Sequence, residues 1–280
     1  MSFTFFTLGG RQFWEDIFIC KKWRIQRNFL TKKCRLLDSW DIRRATGTFD
    51  ECLQSFEKSI KIFQLSKPKE KAVIMIHGLC GNKNQFNQIS KLYESMGYEV
   101  IAVNYPSTRK NIANLIPQFD FLLNNLSAQE ISFIAFGAGG LILRKLLSGT
   151  SLWIRKIKLH KIIMIDTPNR GYKLWEKLSN YRIFRFLLGP MLSDFDSRKI
   201  STLPLLPKES VFAIITTNNR FADLLKAALP KNFSSLFPQI GDSFLPNAQD
   251  LCYIKTWRSN PLCDRNVISK CKKFFVNGKF

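Results

Sequence analysis

The sequence predicts an α/β domain built on a doubly wound, mostly parallel sheet, preceded by a helical, basic N-terminal extension. Three observations carry the prediction for the main domain. Short unbroken apolar runs recur through residues 69–280, stretches of helical spacing separate them, and most runs close on turns bearing Gly, Pro or Asn. Runs without polar alternation belong to strands buried on both faces, and strands that alternate with helices form parallel sheets covered on both sides. A chain of 280 residues with 45% hydrophobic composition is long and apolar enough to bury such a core.

Residues 1–68 come first. The stretch Lys21–Arg44 carries nine Lys/Arg and two Asp, with Trp23, Ile25, Phe29, Leu30, Leu36, Leu37 and Trp40 interleaved. The pattern predicts amphipathic helices with a basic face, packed on the larger body or lying on an anionic membrane surface. Lys67–Lys71 reads as a linker, which ends the extension at residue 68.

In the main domain Ala72–Ile76 is the first apolar run, ended by His77-Gly78. Gln85–Met96 has helical spacing and stops at Gly97. Glu99–Val103 is the second run and ends in Asn104-Tyr105-Pro106. Asn111–Leu126 reads as a helix. Ile131–Phe136 is the third run, closed by Gly137-Ala138-Gly139-Gly140, and Leu141–Leu147 is helical. Lys161–Ile165 is the fourth run, closed by Asp166-Thr167-Pro168, and Val211–Ile215 is the fifth. Residues 172–207, rich in leucine and aromatics, are read as a candidate cap over a pocket. The competing reading is a pair of helices against the sheet edge.

Ligands of a doubly wound sheet bind beyond the C-terminal ends of its strands. His77-Gly78-Leu79, Tyr105-Pro106-Ser107, Gly137-Ala138-Gly139 and Asp166-Thr167-Pro168 are therefore expected on one rim. These segments carry a family resemblance. The strand leading into His77-Gly78-Leu79 resembles the oxyanion loop of lipases. Ala135-Phe136-Gly137-Ala138-Gly139-Gly140, between a strand and a helix, resembles their nucleophile elbow, usually G-H-S-x-G-G. Thr167-Pro168-Asn169-Arg170-Gly171 resembles the segment after the next strand. Gly10–Trp14, Trp23–Arg27, Asn104–Arg109 and Phe274–Phe280 extend the similarity over nearly the whole chain, to a group of bacterial lipase-like α/β-hydrolases. The resemblance implies an α/β-hydrolase fold, a lipase or esterase ancestry, and oxyanion donors at the backbone amides of Leu79 and Ala138.

The sequence then departs from that pattern. The elbow serine falls on Gly137, which has no side chain to attack with. The H-T-F motif that carries the triad histidine falls on Lys255-Thr256-Trp257, so Lys255 holds the vacated position, and no histidine follows His160. The segment that usually holds the acid aligns with Lys231–Phe237, which lacks Asp and Glu; Asp166 and Asp242 are the candidate relic acids. Without nucleophile and base, an oxyanion hole alone leaves roughly 10³–10⁴-fold acceleration over water. The expectation is a lipase/esterase-like pseudoenzyme that keeps its pocket. The alternative is a hydrolase that uses Cys80, activated by His77 three positions away. Ser132 lies five residues short of the elbow, and His160, just before its run, is five residues and roughly 17 Å from the rim. Neither is expected at the rim. A dinucleotide-binding turn is disfavoured because the third glycine of G-x-G-x-x-G would fall on Ile142.

Composition sets the remaining expectations. A net charge of +22 favours phosphate-bearing partners, although the basic residues are spread along the whole chain. An anionic membrane surface and an apolar or acyl small molecule are the candidate partners; nucleic acid is not favoured. Seven cysteines without a CxxC, and only two histidines, argue against a disulfide framework and a metal site. No cofactor is expected. The N-terminus has no basic n-region, and no stretch approaches 18 uncharged apolar residues, so the expected location is the cytoplasm or its membrane surface.

Overall fold

The computed structural model describes residues 12–219, 240–258 and 260–280. Its first unit corrects the helical expectation for the extension. β1 (Trp14–Cys20), β2 (Trp23–Asn28), β3 (Cys34–Leu37) and β4 (Arg43–Gly47) form an antiparallel meander in chain order. Only then does a helix follow, α1 (Phe49–Ile62), opened by a capping box between Thr48 and Glu51. The period in Lys21–Arg44 is two, not 3.6. Trp23 and Ile25 of β2, with Cys34 and Leu36 of β3, pack on Cys52 and Phe56 of α1. Arg24, Gln26 and Arg35 point to the opposite face, and all three are buried. The connecting turn hides the hairpin from a sequence reader. Lys21 and Lys22 both adopt positive φ (50° and 68°), where two-residue hairpins ordinarily place Asn or Gly.

The buried polar face of the meander docks on the main body. Asp16 accepts from Arg24 Nη1 at 2.5 Å and from Gln26 Nε2 at 2.6 Å. Its backbone N–H donates to Asn104 O at 3.0 Å, and Asn104 N–H donates back to Asp16 Oδ2 at 2.7 Å. Gln118 Nε2 donates to both Asp16 O and Asn104 O. Glu15 pairs with Arg27 and with Lys110. Of the charges that suggested a solvated helix face, Arg24 and Arg27 are thus partners of Asp16 and Glu15.

The main sheet is doubly wound and all parallel, in the order β6-β5-β7-β8-β9-β10. The five expected runs are β5 (Lys71–Ile76), β6 (Glu99–Val103), β7 (Glu130–Phe136), β8 (Lys158–Ile165) and β9 (Val211–Asn219). A sixth strand, β10 (Asp250–Thr256), adds an edge that the apolar-run criterion misses, because its burial alternates. Strand side chains alternate between two cores. Ala72, Ile74 and Ile76 face α3 (Ile112–Asn124), α4 (Ala138–Leu147) and α5 (Leu152–Lys156). Val73 and Met75 face α2 (Asn87–Ser95) and α9 (Arg265–Asn277).

Residues 172–207 form α6 (Lys173–Ser179), α7 (Arg182–Leu188), a 3-10 turn (Pro190–Phe195) and α8 (Ser197–Ser201). Met191, Leu192 and Phe195 join the α3/α4 core. The insertion leaves the end of β8 and reaches the β6–α3 loop, where Asp194 accepts from Ile112 N–H at 2.7 Å. In the sheet, β7 and β5 lie between these two points. Among the described residues no helix is long and apolar enough to cross a membrane.

Candidate active site

The rim forms where the chain leaves β5, β7 and β8. β7 turns into α4 through Gly137, with φ 54° and ψ −125°. A side chain at that φ is strained, and glycine removes the strain. The two glycines that follow are set by contact instead. A Cβ on Gly139 would run into the Ile76 carbonyl, and one on Gly140 into the Thr167 side chain. Residue 137 differs from both, since a Cβ there would meet only Gly78 Cα, at an ordinary 3.5 Å. Position 137 therefore has room for a side chain that the chain does not supply.

The amides of Ala138 and Leu79 belong to the two segments that meet here. Ala138 opens α4, so its N–H has no carbonyl in its own helix. Leu79 N–H has no acceptor among the described residues. The loop that carries it is drawn close to the bend: a Cβ on Gly78 would lie 3.7 Å from Ala138 N. Ser107 Oγ accepts from Cys80 N–H at 3.0 Å, and Gly81 N–H donates to Gly78 O at 3.1 Å; together they hold the loop. Gln12 braces it from outside, donating to Gly81 O and accepting from Thr108 N–H.

His77 and Cys80 are not hydrogen-bonded as the alternative reading, a Cys80–His77 dyad, would require. The His77 ring is fully buried, stacked on Tyr105 at 3.9 Å, with Nδ1 at 2.8 Å from Gly78 O. Its Nε2 is buried without a partner. Burial lowers the imidazole pKa to about 4, so the ring is neutral. Cys80 is exposed on the loop at φ 58°, and its thiol is pushed up by partial burial with no base beside it. A protonated thiol is a poor nucleophile.

The two relic acids lie on neighbouring segments. Asp166 follows β8 at φ 49° and accepts from Thr217 N–H and Thr217 Oγ1, both at 2.6 Å. No cation approaches it within the described residues. Desolvation outweighs those bonds and raises its carboxyl to about 6. Asp242 lies in a 3-10 turn (Ile240–Ser243), and its carbonyl accepts from Arg170 N–H at 2.9 Å. Lys255 occupies the penultimate position of β10, paired in register with Asn218, with its side chain exposed. A strand residue there points away from the sheet plane and not over the rim. The segment 231–237 lies outside the described residues.

One serine–histidine contact exists elsewhere. Ser132 Oγ lies 3.3 Å from His160 Nδ1, and Glu130 approaches the same nitrogen at 3.8 Å. Both contacts fall on one ring nitrogen, Ser132 is fully buried, and the group sits at the opposite end of the sheet from the rim. It cannot relay a proton to a substrate. Sequence reading missed the isolation of Asp166. Its Thr217 partner lies in the polar tail of β9, beyond the apolar run.

No family model matches the chain, and no curated protein matches it in sequence. Solved structures do match in shape. A metagenomic carboxyl esterase superposes with a TM-score of 0.52 at 16% identity, over 68% of this chain and 64% of that one. A carboxylesterase of the ammonia-oxidizing thaumarchaeon Nitrososphaera gargenis matches at 0.44 and 14%, over 76% and 89%. The phospholipase PlaB of Legionella pneumophila matches at 0.48 and 15%, over 62% and 45%. The chain spans 64% of the metagenomic esterase and 45% of the phospholipase. The sheet order and this likeness establish an α/β-hydrolase fold.

Proposed function

We propose that this α/β-hydrolase fold binds an acyl or ester group without hydrolysing it. The observation that carries the reading is Gly137. The bend retains its backbone, the space beside it and the Leu79 and Ala138 amides, and it lacks any group that could attack. A carbonyl or carboxylate oxygen set between those amides accepts two hydrogen bonds from preorganised donors. Attack would need a hydroxyl or thiol within reach of an imidazole. Of the two histidines in the chain, His77 is buried against Tyr105 and His160 lies at the far end of β8.

Assay of the purified chain with short and long p-nitrophenyl esters tests the reading. The expected result is release at the buffer rate, no labelling by a fluorophosphonate probe, and saturable quenching of tryptophan fluorescence by a long-chain fatty acid. Turnover well above background would overturn it: loss of that turnover in Cys80→Ala would assign it to Cys80, and its survival to some other nucleophile.

A further inference from the structure

α7 has two faces. Phe184 and Leu188, four residues apart, are partly buried and pack against the α3/α4 core. Ile183 and Leu187, also four apart, turn outward with 59% and 60% exposure, and Phe186 beside them is 76% exposed. Tyr181, just before the helix, is 53% exposed. Isolated apolar residues at a surface need no explanation, but three large ones on one short helix, with a fourth just before it, form a patch.

The patch is held outward by an anchored element. Gly189 ends α7 at φ 83°, seated so closely on the Thr108 backbone that a Cβ would overlap its carbonyl. Met191 and Leu192 follow at once and are fully buried. Along the chain next to the patch the charge has one sign, although Glu176 and Asp194 lie on the elements that α7 contacts. No Asp or Glu occurs from residue 177 to residue 193, while Arg182 and Arg185 stand exposed on α7 itself. The chain as a whole carries +22.

We infer that α7 is the docking surface for an anionic phospholipid bilayer. An apolar ridge with guanidinium groups at its flanks matches that boundary: the ridge enters the headgroup–acyl region while the guanidiniums meet the phosphates. RNA offers the phosphates but no apolar phase for Ile183, Phe186 and Leu187. Two more exposed aromatics lie on loops at the same rim. Phe244 is stacked under the Arg170 guanidinium at 4.6 Å, and Trp257 follows β10. The inference does not depend on whether the cleft hydrolyses anything.

Flotation of the full chain with phosphatidylcholine vesicles, with and without about one third phosphatidylglycerol, tests it. Binding is expected on the anionic vesicles, at least about tenfold weaker on the neutral ones, and weakened by salt. Phe186→Asp/Leu187→Asp and, separately, Arg182→Glu/Arg185→Glu each reduce it by about tenfold or more, with unfolding temperatures unchanged because all four side chains are exposed. Lys32→Glu/Lys33→Glu, in the β2–β3 turn, binds as the parent does. Equal binding of the α7 variants and the parent overturns the inference. So does loss of binding on the Lys32/Lys33 change alone, or binding to RNA with none to vesicles.

Discussion

The meander interface and the rim of the main sheet keep carboxylates in opposite company. At the interface Asp16 meets Arg24 and Gln26, and Glu15 meets Arg27 and Lys110; every carboxylate has a cation. At the rim Asp166 has only the amide and hydroxyl of Thr217, and His77 keeps a ring nitrogen with no partner. The difference separates polar groups that fasten the fold from polar groups that the fold merely carries. A buried carboxylate held without a cation at a strand-end rim is a feature that ligand sites share.

The comparison can be broken most forcefully at Asp16. Asp16→Ala leaves Arg24 buried without its carboxylate and Asn104 N–H without its acceptor, and is expected to cost about 3–5 kcal/mol in urea unfolding. A loss below about 1 kcal/mol would mean that the interface is no more fastened than the rim.

The next effect is on pH dependence. Asp166 has its carboxyl raised from 3.8 to about 6, so the folded chain holds a proton that the unfolded chain releases; its stabilising contribution is lost as pH rises from about 4 through 6. His77 is lowered from 6.5 to about 4, so the unfolded chain takes up the proton first; its contribution is lost as pH falls from 6.5 toward 4. The slopes oppose each other in the parent. Asp166→Asn removes one and exposes the other, so stability should then rise by roughly 3 kcal/mol between pH 4 and 6.5. Denaturant titrations at several pH values check this, and a variant curve parallel to the parent would contradict the assignment at Asp166.

Gly137→Ser is expected to destabilise by about 1–3 kcal/mol, the strain of a side chain at that φ, with no steric clash to add to it. It should gain no esterase activity, because no imidazole reaches the bend. Appreciable hydrolysis by this variant would reveal a base that the rim does not display. Cys80→Ala should be smallest, within about 0.5 kcal/mol and without effect on fatty-acid binding, as for an exposed side chain that bonds only through its backbone.

Much of this was legible in the sequence, and the limits have physical causes. The apolar runs marked five of the six parallel strands because both faces of those strands are buried. β10 escaped because an edge strand alternates, and because Lys255 within it was matched to a motif position by letter order alone. The glycine at the bend was readable from one residue. The meander was not, because strands of four to seven residues leave too few periods to tell two from 3.6, and its Lys21-Lys22 turn lacks the Asn or Gly that would announce it. Whether Cys80 and His77 meet was also beyond a spacing of three, since the Tyr105 ring decides where the imidazole lies.

The meander has one further consequence. β6 is an outer strand of the main sheet, and the meander lies alongside it: Lys21 N–H bonds the Glu99 side chain at one end, and Asp16 bonds Asn104 at the other. Bare outer strands recruit foreign strands and seed aggregation. The first sixty-odd residues thus act as a guard rail, and a chain trimmed back to residue 69 is expected to precipitate before it yields a smaller monomeric hydrolase core.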